Sequence, residues 1–308
     1  MRYVVIDGFF GDAAGLRRVV DQRLSDRLPP FDPSRFVWEH WHVDAQFSQL
    51  RTPARTFFPE PLIGAFEARL LRWARASFGV SRLGGPPWLS AILDGGFQGV
   101  HRDSPNGQIA WSFGLGKSGR FRGGHTLIAN DELLDYFRSG SHRPEAADKP
   151  LFDEVVPRFN RLVAFDSRIP HAVRGVEGPR HPRDARIALQ GWLEVNGCVV
   201  DGASDVGPAT HAVNAELRDA RMRRDLAGAE GLFAVRLTTG RDGRVGKTAV
   251  VASTLVRTSD ARDQPARAER LLTKRLARVR FPAGAKHVLA PIIVAPSGRA
   301  RVPFENGS

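Results

Sequence analysis

The sequence predicts a mainly β protein with supporting helices, carrying a small α+β unit towards its C-terminal end. Three observations point there. Between residues 88 and 195, six short apolar runs are separated by clusters of Gly, Pro, Asn and Asp, the punctuation of strands joined by turns. Before that region, two stretches carry helical periodicity. Beyond residue 210 the pattern changes to helix, hairpin, helix, strand.

Taken in order, residues 3–6 are a short apolar run that reads as an opening strand. Leu16, Val19 and Val20 share one face of a helix predicted over 13–23. Residues 36–43 (FVWEHWHV) read as a strand. Over 60–78, Leu62, Ile63, Phe66, Leu70, Leu71 and Trp73 form one apolar stripe, which predicts an amphipathic helix. Strands follow at 88–93, 108–115, 126–129, 161–165, 172–176 and 186–195, and so many short strands predict a closed or sandwiched β-core. Residues 198–210, rich in Gly, Asp and Ser, read as a linker between a domain at 1–197 and another at 211–308. The second is expected to hold a helix at 212–226 and strands at 232–239 and 245–254 around the Asp242-Gly243 turn. An arginine-rich helix at 266–279 and a strand at 288–294 complete it.

Hydrophobic residues at 42% and charged residues at 25% suit a globular core and exclude general disorder. No run reaches the roughly 18–20 apolar residues of a helical membrane span, so no membrane partner is expected. The opening apolar run is too short for a secretory leader. The single cysteine, Cys198, makes neither an internal disulfide nor a cysteine-based zinc cage, and is expected to be inert. A cytoplasmic setting is therefore expected. The net charge is +12, and residues from 199 onward, with 19 basic and 11 acidic side chains, carry +8 of it. Such charge permits nucleic-acid binding through counterion release. No basic run interleaved with aromatics accompanies it, and 40 of the 45 basic residues are arginine, so nucleic acid is not favoured over a solvated surface.

The residues with the most chemistry are His101-Arg102-Asp103 and, downstream, His171. Two imidazoles and a carboxylate can hold one face of a non-haem Fe(II) and leave the other face open. His-x-Asp puts both side chains on one side of an extended segment. His171 follows an apolar run and a turn (RLVAFDSRIPHAV), as a ligand at a strand entry would. Arg186 sits inside an apolar strand (RIALQGWL), where a cation needs a partner. His40 and His42 with Asp44 form a rival metal cluster, His125 reads as a core or pocket histidine, and Trp192 reads as core.

These motifs together resemble the iron- and 2-oxoglutarate-dependent dioxygenases, in their prolyl-hydroxylase-like branch. HRDSPNG is similar to that branch's His-x-Asp with its Asn-Gly turn, GGHTLI to its Gly-Gly strand entry, and RLVAFDSRIPHAV to its strand, turn and second histidine. RIALQGWL resembles its last core strand, MRYVVIDGFF its first, and the similarity spans residues 1–197. The resemblance implies a double-stranded β-helix (jelly roll) oxygenase core using Fe(II), 2-oxoglutarate as cosubstrate and O2. It implies His101, Asp103 and His171 as catalytic iron ligands and Arg186 as the partner of the cosubstrate's distal carboxylate, with Arg183 in the GPRHPRDA loop as the competing cation. The tyrosine that many relatives add falls on Gly114 here, leaving Ser112, Trp111 or a water to substitute. The small polar residue four positions after the arginine is Gln190. Asp103 fills the place that related halogenases leave for chloride, so the implied reaction is hydroxylation of an aliphatic C–H. The branch implies an amino-acid side chain in a peptide or protein, ahead of a small metabolite. The stretch 38–55 (WEHWHVDAQFSQLRTPAR) falls where the branch places substrate-covering segments, with three aromatics to stack and Arg51 and Arg55 to pair with acidic groups.

The region 232–294 resembles, more faintly, a TonB C-terminal-type domain in its Asp-Gly-Arg hairpin and the Arg-Phe-Pro after its helix. It reads as a dimerisation or partner-docking module. The rival reading from another class is a catalytically degenerate oxygenase fold acting as an interaction protein through this basic module; Gly114 favours it.

Overall fold

The computed structural model describes residues 3–25, 38–104, 106–130, 150–202, 205–258, 263–282 and 285–305. The first two residues of the expected 36–43 strand and residues 203–204 of the expected linker lie outside them. The chain opens with β1 (Tyr3–Asp7) and α1 (Ala13–Arg23), then a hairpin of β2 (Glu39–Val43) and β3 (Phe47–Pro53). The short α2 (Ala54–Phe57) and the long α3 (Glu60–Phe78) follow. Eight strands of three or more residues come next among the described residues: β4 (Trp88–Ile92), β5 (Phe97–His101), β6 (Ile109–Gly114), β7 (Thr126–Ala129), β8 (Phe152–Val155), β9 (Arg161–Asp166), β10 (His171–Val173) and β11 (Arg186–Glu194).

Their spatial order is β1-β9-β6-β11-β4-β3-β5-β10-β7-β8, antiparallel throughout. The eight strands from β4 to β11 thus sort into two arms, β9-β6-β11-β4 and β5-β10-β7-β8. The chain passes back and forth between the arms, which is the winding of a double-stranded β-helix, or jelly roll. β3 joins the arms along one side, pairing with β4 through Leu50–Ala91 and with β5 through Phe47–Gln98.

The two-residue period of each strand decides what lines the space between the arms. On β6, Ile109, Trp111 and Phe113 turn outward to α3, where Phe66 meets Phe113 at 4.8 Å, while Ala110, Ser112 and Gly114 alternate with them on the other face. On β11, Ile187, Leu189 and Leu193 join the same outer core, and Arg186, Gln190 and Trp192 alternate with them. α3 buries Ile63, Phe66, Leu70, Ala74 and Phe78 against this sheet and ends on Gly79 at φ 71°, a left-handed cap. Each fully buried large side chain of that stripe is worth roughly 1.5–3 kcal/mol.

The rest of the chain builds a second sheet. α4 (Gly207–Leu217) and α5 (Ala220–Leu226) replace the single helix expected over 212–226, because Asp219 breaks it and accepts the Arg221 N–H at 2.7 Å as the new cap. β12 (Ala229–Thr239) pairs with β13 (Val245–Ser253) on one side and β14 (His287–Val294) on the other, and α6 (Gln264–Leu276) packs on β12. The expected strand, strand, helix, strand order is present. Phe66 and Phe113 of the first sheet's core belong to one continuous apolar cluster with Phe233, Leu272 and Ile292 of the second. At the seam, a Cβ on Gly79 would stand 3.0 Å from Pro291 of β14. Among the described residues no helix is long and apolar enough to cross a membrane.

Candidate active site

His101 ends β5 and His171 begins β10, and the register sets them directly opposite each other on neighbouring strands. Their ring centroids are 4.3 Å apart. Asp103 lies two residues past the end of β5, where its N–H donates to the Ser167 carbonyl at 2.9 Å. That bond turns the carboxylate back to the histidines, with Oδ1 3.5 Å from His101 Nε2 and Oδ2 3.2 Å from His171 Nε2. One ligand atom from each of the three lies within 4.8 Å of the others, a group able to hold a metal ion.

The remaining ring nitrogens are committed. His101 Nδ1 faces the Gly99 carbonyl at 2.8 Å and His171 Nδ1 faces the Ile169 carbonyl at 2.9 Å. Since a carbonyl only accepts, each Nδ1 carries a proton, and each ring turns its Nε2 inward, the atom a metal would take from the neutral form. Burial works to raise the Asp103 carboxyl, but hydrogen bonds and charge from His101 and His171 outweigh it and hold that carboxyl well below the usual range. Burial works to lower His101, yet Asp103 and the Gly99 carbonyl leave it raised. The donor set of two imidazoles and an ionised carboxylate therefore fits a divalent first-row metal with positions to spare.

A cleft of about 440 Å³ opens from these three residues between the arms. Trp41, Phe47, Trp88 and Trp192 line it, together with Arg51, Arg102, Ser112, Thr126, Gln190 and Arg186. Arg186 is 5% exposed. Its Nε donates to the Gly124 carbonyl at 2.6 Å and its Nη2 to Thr126 Oγ1 at 3.3 Å. Among the described residues it has no acidic partner, and burial pushes its guanidinium down to about 10. A buried cation with only neutral acceptors is a site for an anion. Gly124, at φ 68°, makes the approach possible: a Cβ there would lie 2.6 Å from Arg186 Cδ. A narrower space of about 20 Å³ shares Ser112, Thr126 and Arg186 with the cleft.

The six residues expected at the metal and cosubstrate sites, His101, Asp103, His171, Arg186, Ser112 and Gln190, thus border one cleft. Gln190 lies across from Ser112 in the β11–β6 register and is within 3.3 Å of the Ser90 hydroxyl. Arg183 does not join them; it sits in the turn Pro182–Asp184 and is not part of the cleft wall. Gly114 is not merely a missing tyrosine. A Cβ there would meet the Arg158 carbonyl oxygen at 2.2 Å, so the Arg158 backbone occupies the place of any side chain.

Other expectations need correction. His40 and His42 lie with ring centroids 5.5 Å apart, tilted by 36°, but, with Asp44, do not form a metal-holding group among the described residues. Trp192 is a cleft wall as well as a packing residue, and its buried Nε1 has no partner among the described residues. Of the aromatics in 38–55, Trp41 and Phe47 stack at 4.5 Å and line the cleft, whereas Trp38 packs on Phe57. Arg51 lies 4.5 Å from the ring centres of both Trp41 and Trp88 and is bound to Glu39 at 2.6 Å. Arg55 is held by Glu67 at 2.5 Å and is not part of the cleft. Arg102 is the cleft cation that sequence reasoning passed over; its place between His101 and Asp103 was the available signal.

No family model matches this sequence, and no curated protein does. Among solved structures, a prolyl hydroxylase from Trichoplax adhaerens, in complex with a hypoxia-inducible-factor peptide fragment, is similar at 14% identity and a TM-score of 0.42, over 62% of this chain and 83% of that one. A prolyl-4-hydroxylase from Pseudomonas putida is similar at 16% and 0.40, over 63% and 93%. HygX from Streptomyces hygroscopicus, with nickel and 2-oxoglutarate bound, is similar at 13% and 0.37, over 61% and 80%. At such identities and scores these likenesses assign no activity. They also lend no support to a TonB-type C-terminal domain.

Proposed function

We propose that this protein is an Fe(II)- and 2-oxoglutarate-dependent dioxygenase that hydroxylates an aliphatic C–H of an amino-acid side chain within a peptide or protein. One observation carries the reading: a three-donor metal group and a buried guanidinium without a carboxylate partner open on the same cleft. The two groups ask for complementary ligands. His101, Asp103 and His171 would take the metal through Nε2, a carboxylate oxygen and Nε2. Arg186 would take the far carboxylate of the cosubstrate, with Ser112, Thr126 and Gln190 offering neutral polar contacts beside it. Bound together, iron and 2-oxoglutarate would supply O2 activation and C–H oxidation.

The chain's own work is placement. The pinned Nδ1 atoms keep both imidazoles oriented with Nε2 turned inward. Asp103 stays ionised, and Trp41, Phe47, Trp88 and Trp192 exclude water from the walls and offer flat surfaces to a side chain. The decisive test measures succinate formation with Fe(II), 2-oxoglutarate and a host peptide extract, for wild type and His101→Ala. The expected result is turnover and +16 Da peptides with wild type alone. Equal turnover in both would overturn the assignment, and oxygen gained only by small metabolites would overturn the peptide substrate.

A further inference from the structure

We infer that Thr254, in the second sheet's unit, is a positioning residue for the His101–Asp103–His171 group, acting through Asp166. The inference rests on the proposed metal site but concerns how that site is held. Both protein segments that carry ligands hang on the turn between β9 and β10. Ser167 supplies the carbonyl that receives the Asp103 N–H at 2.9 Å and the Ser104 N–H at 3.3 Å. Ile169 supplies the carbonyl that fixes His171 Nδ1. A shift of this turn therefore moves two of the three ligands together.

Asp166 is the last residue of β9, where that turn begins, and is 2% exposed. A carboxylate so enclosed must be supplied with donors. Arg168 provides three, through its backbone N–H at 3.0 Å, its Nε at 2.7 Å and its Nη2. All three come from inside the turn, whose Ser167 N–H also donates to the Gln108 carbonyl at 3.1 Å within the first sheet. The donor from outside is the Thr254 hydroxyl, 2.5 Å from Asp166 Oδ2 and 88 residues away in sequence. Thr254 is itself anchored on β12: its N–H donates to the Leu232 carbonyl at 2.9 Å, and its Oγ1 accepts the Leu232 N–H at 2.9 Å. The chains are pressed close here, since a Cβ on Gly231 would lie 2.6 Å from Leu255 Cα. The path from β12 to the ligands is thus Leu232, Thr254, Asp166 and then the Ser167 and Ile169 carbonyls.

Three variants of the full chain test this. Thr254→Val keeps the shape and removes the donor, Thr254→Ser keeps the hydroxyl, and Leu272→Ala opens a cavity in the same unit without touching Asp166. Co(II) affinity and its visible absorption are read for each, along with hydrogen exchange at the Asp103 and Ser104 amides of metal-free protein. Thr254→Val is expected to weaken Co(II) binding about tenfold, the scale of lost outer-sphere support, and to speed exchange at both amides. Thr254→Ser is expected to restore both, and Leu272→Ala to lower the melting temperature while leaving Co(II) affinity at the wild-type value. Wild-type affinity and exchange in Thr254→Val would overturn the inference, as would an equal loss in Leu272→Ala. If wild type itself binds no Co(II), the metal reading fails, and the exchange rates alone then decide whether Thr254 holds the turn.

Discussion

The cleft and the seam between the two sheets treat buried polar groups in opposite ways. At the seam every invoked group is answered: Asp166 by Arg168 and Thr254, and the Thr210 hydroxyl by the Cys198 N–H at 2.9 Å. In the cleft, Arg186 has no carboxylate and Trp192 Nε1 no acceptor among the described residues. A group left unanswered in a low-dielectric site costs free energy that folding does not recover, so its persistence points to a ligand. A group fully answered points to architecture.

The sharpest way to break this contrast is to remove one side of the seam. A chain ending at Asn196 would strip Phe233, Leu272 and Ile292 from a core shared with Phe66 and Phe113. It is expected to aggregate and to show no cooperative thermal transition by circular dichroism; a soluble monomer melting like the full chain would show that the seam is incidental.

Within the cleft, Arg186→Met separates function from stability. It should weaken binding of the proposed cosubstrate 2-oxoglutarate by at least about a hundredfold, since removing one partner of a buried charge pair and leaving the other unpaired costs some 3–5 kcal/mol. The metal-free variant should nevertheless melt at or above the wild-type temperature, because an unneutralised buried cation has gone. Calorimetric titration and a thermal melt check the two halves, and a lower melting temperature with binding intact would reverse the assignment of Arg186.

The smallest effect belongs to the seam's thiol. Burial pushes Cys198 up to about 12, against a lesser lowering by Thr210. The folded protein holds that proton more tightly than the unfolded chain, so the associated stability is complete below the ordinary thiol range and fades as pH rises from there towards 12. At pH 8 a thiol reagent should label Cys198 only as fast as the protein unfolds; rapid labelling of native protein would mean the seam is wet.

What could be read from the amino acids follows from which forces are local. His101, Asp103 and His171 stood out because an extended segment and a turn before a strand are short-range patterns, and Arg186 because a cation among apolar residues is conspicuous. The helices Ala13–Arg23 and Glu60–Phe78 are as periodicity predicts. The strands β3, β5 and β8 were missed: FSQLRTP, FQGVH and FDEV have polar or glycine-rich compositions, and their pairing comes from distant partners. Nothing near Arg55 in sequence reveals that Glu67 would claim it, and nothing near Asp166 reveals Thr254.

The alternation of strands between the two arms also sets an order of events. His101 and His171 become neighbours only when β5 and β10 pair, and β6 through β9 lie between them in the chain. Closing a loop of that length comes late and slowly in folding compared with forming a helix or hairpin. At the proposed site, metal capture would thus be a step taken by a finished protein and not a seed for its folding, and the metal-free form would be the species that must survive on its own between synthesis and use.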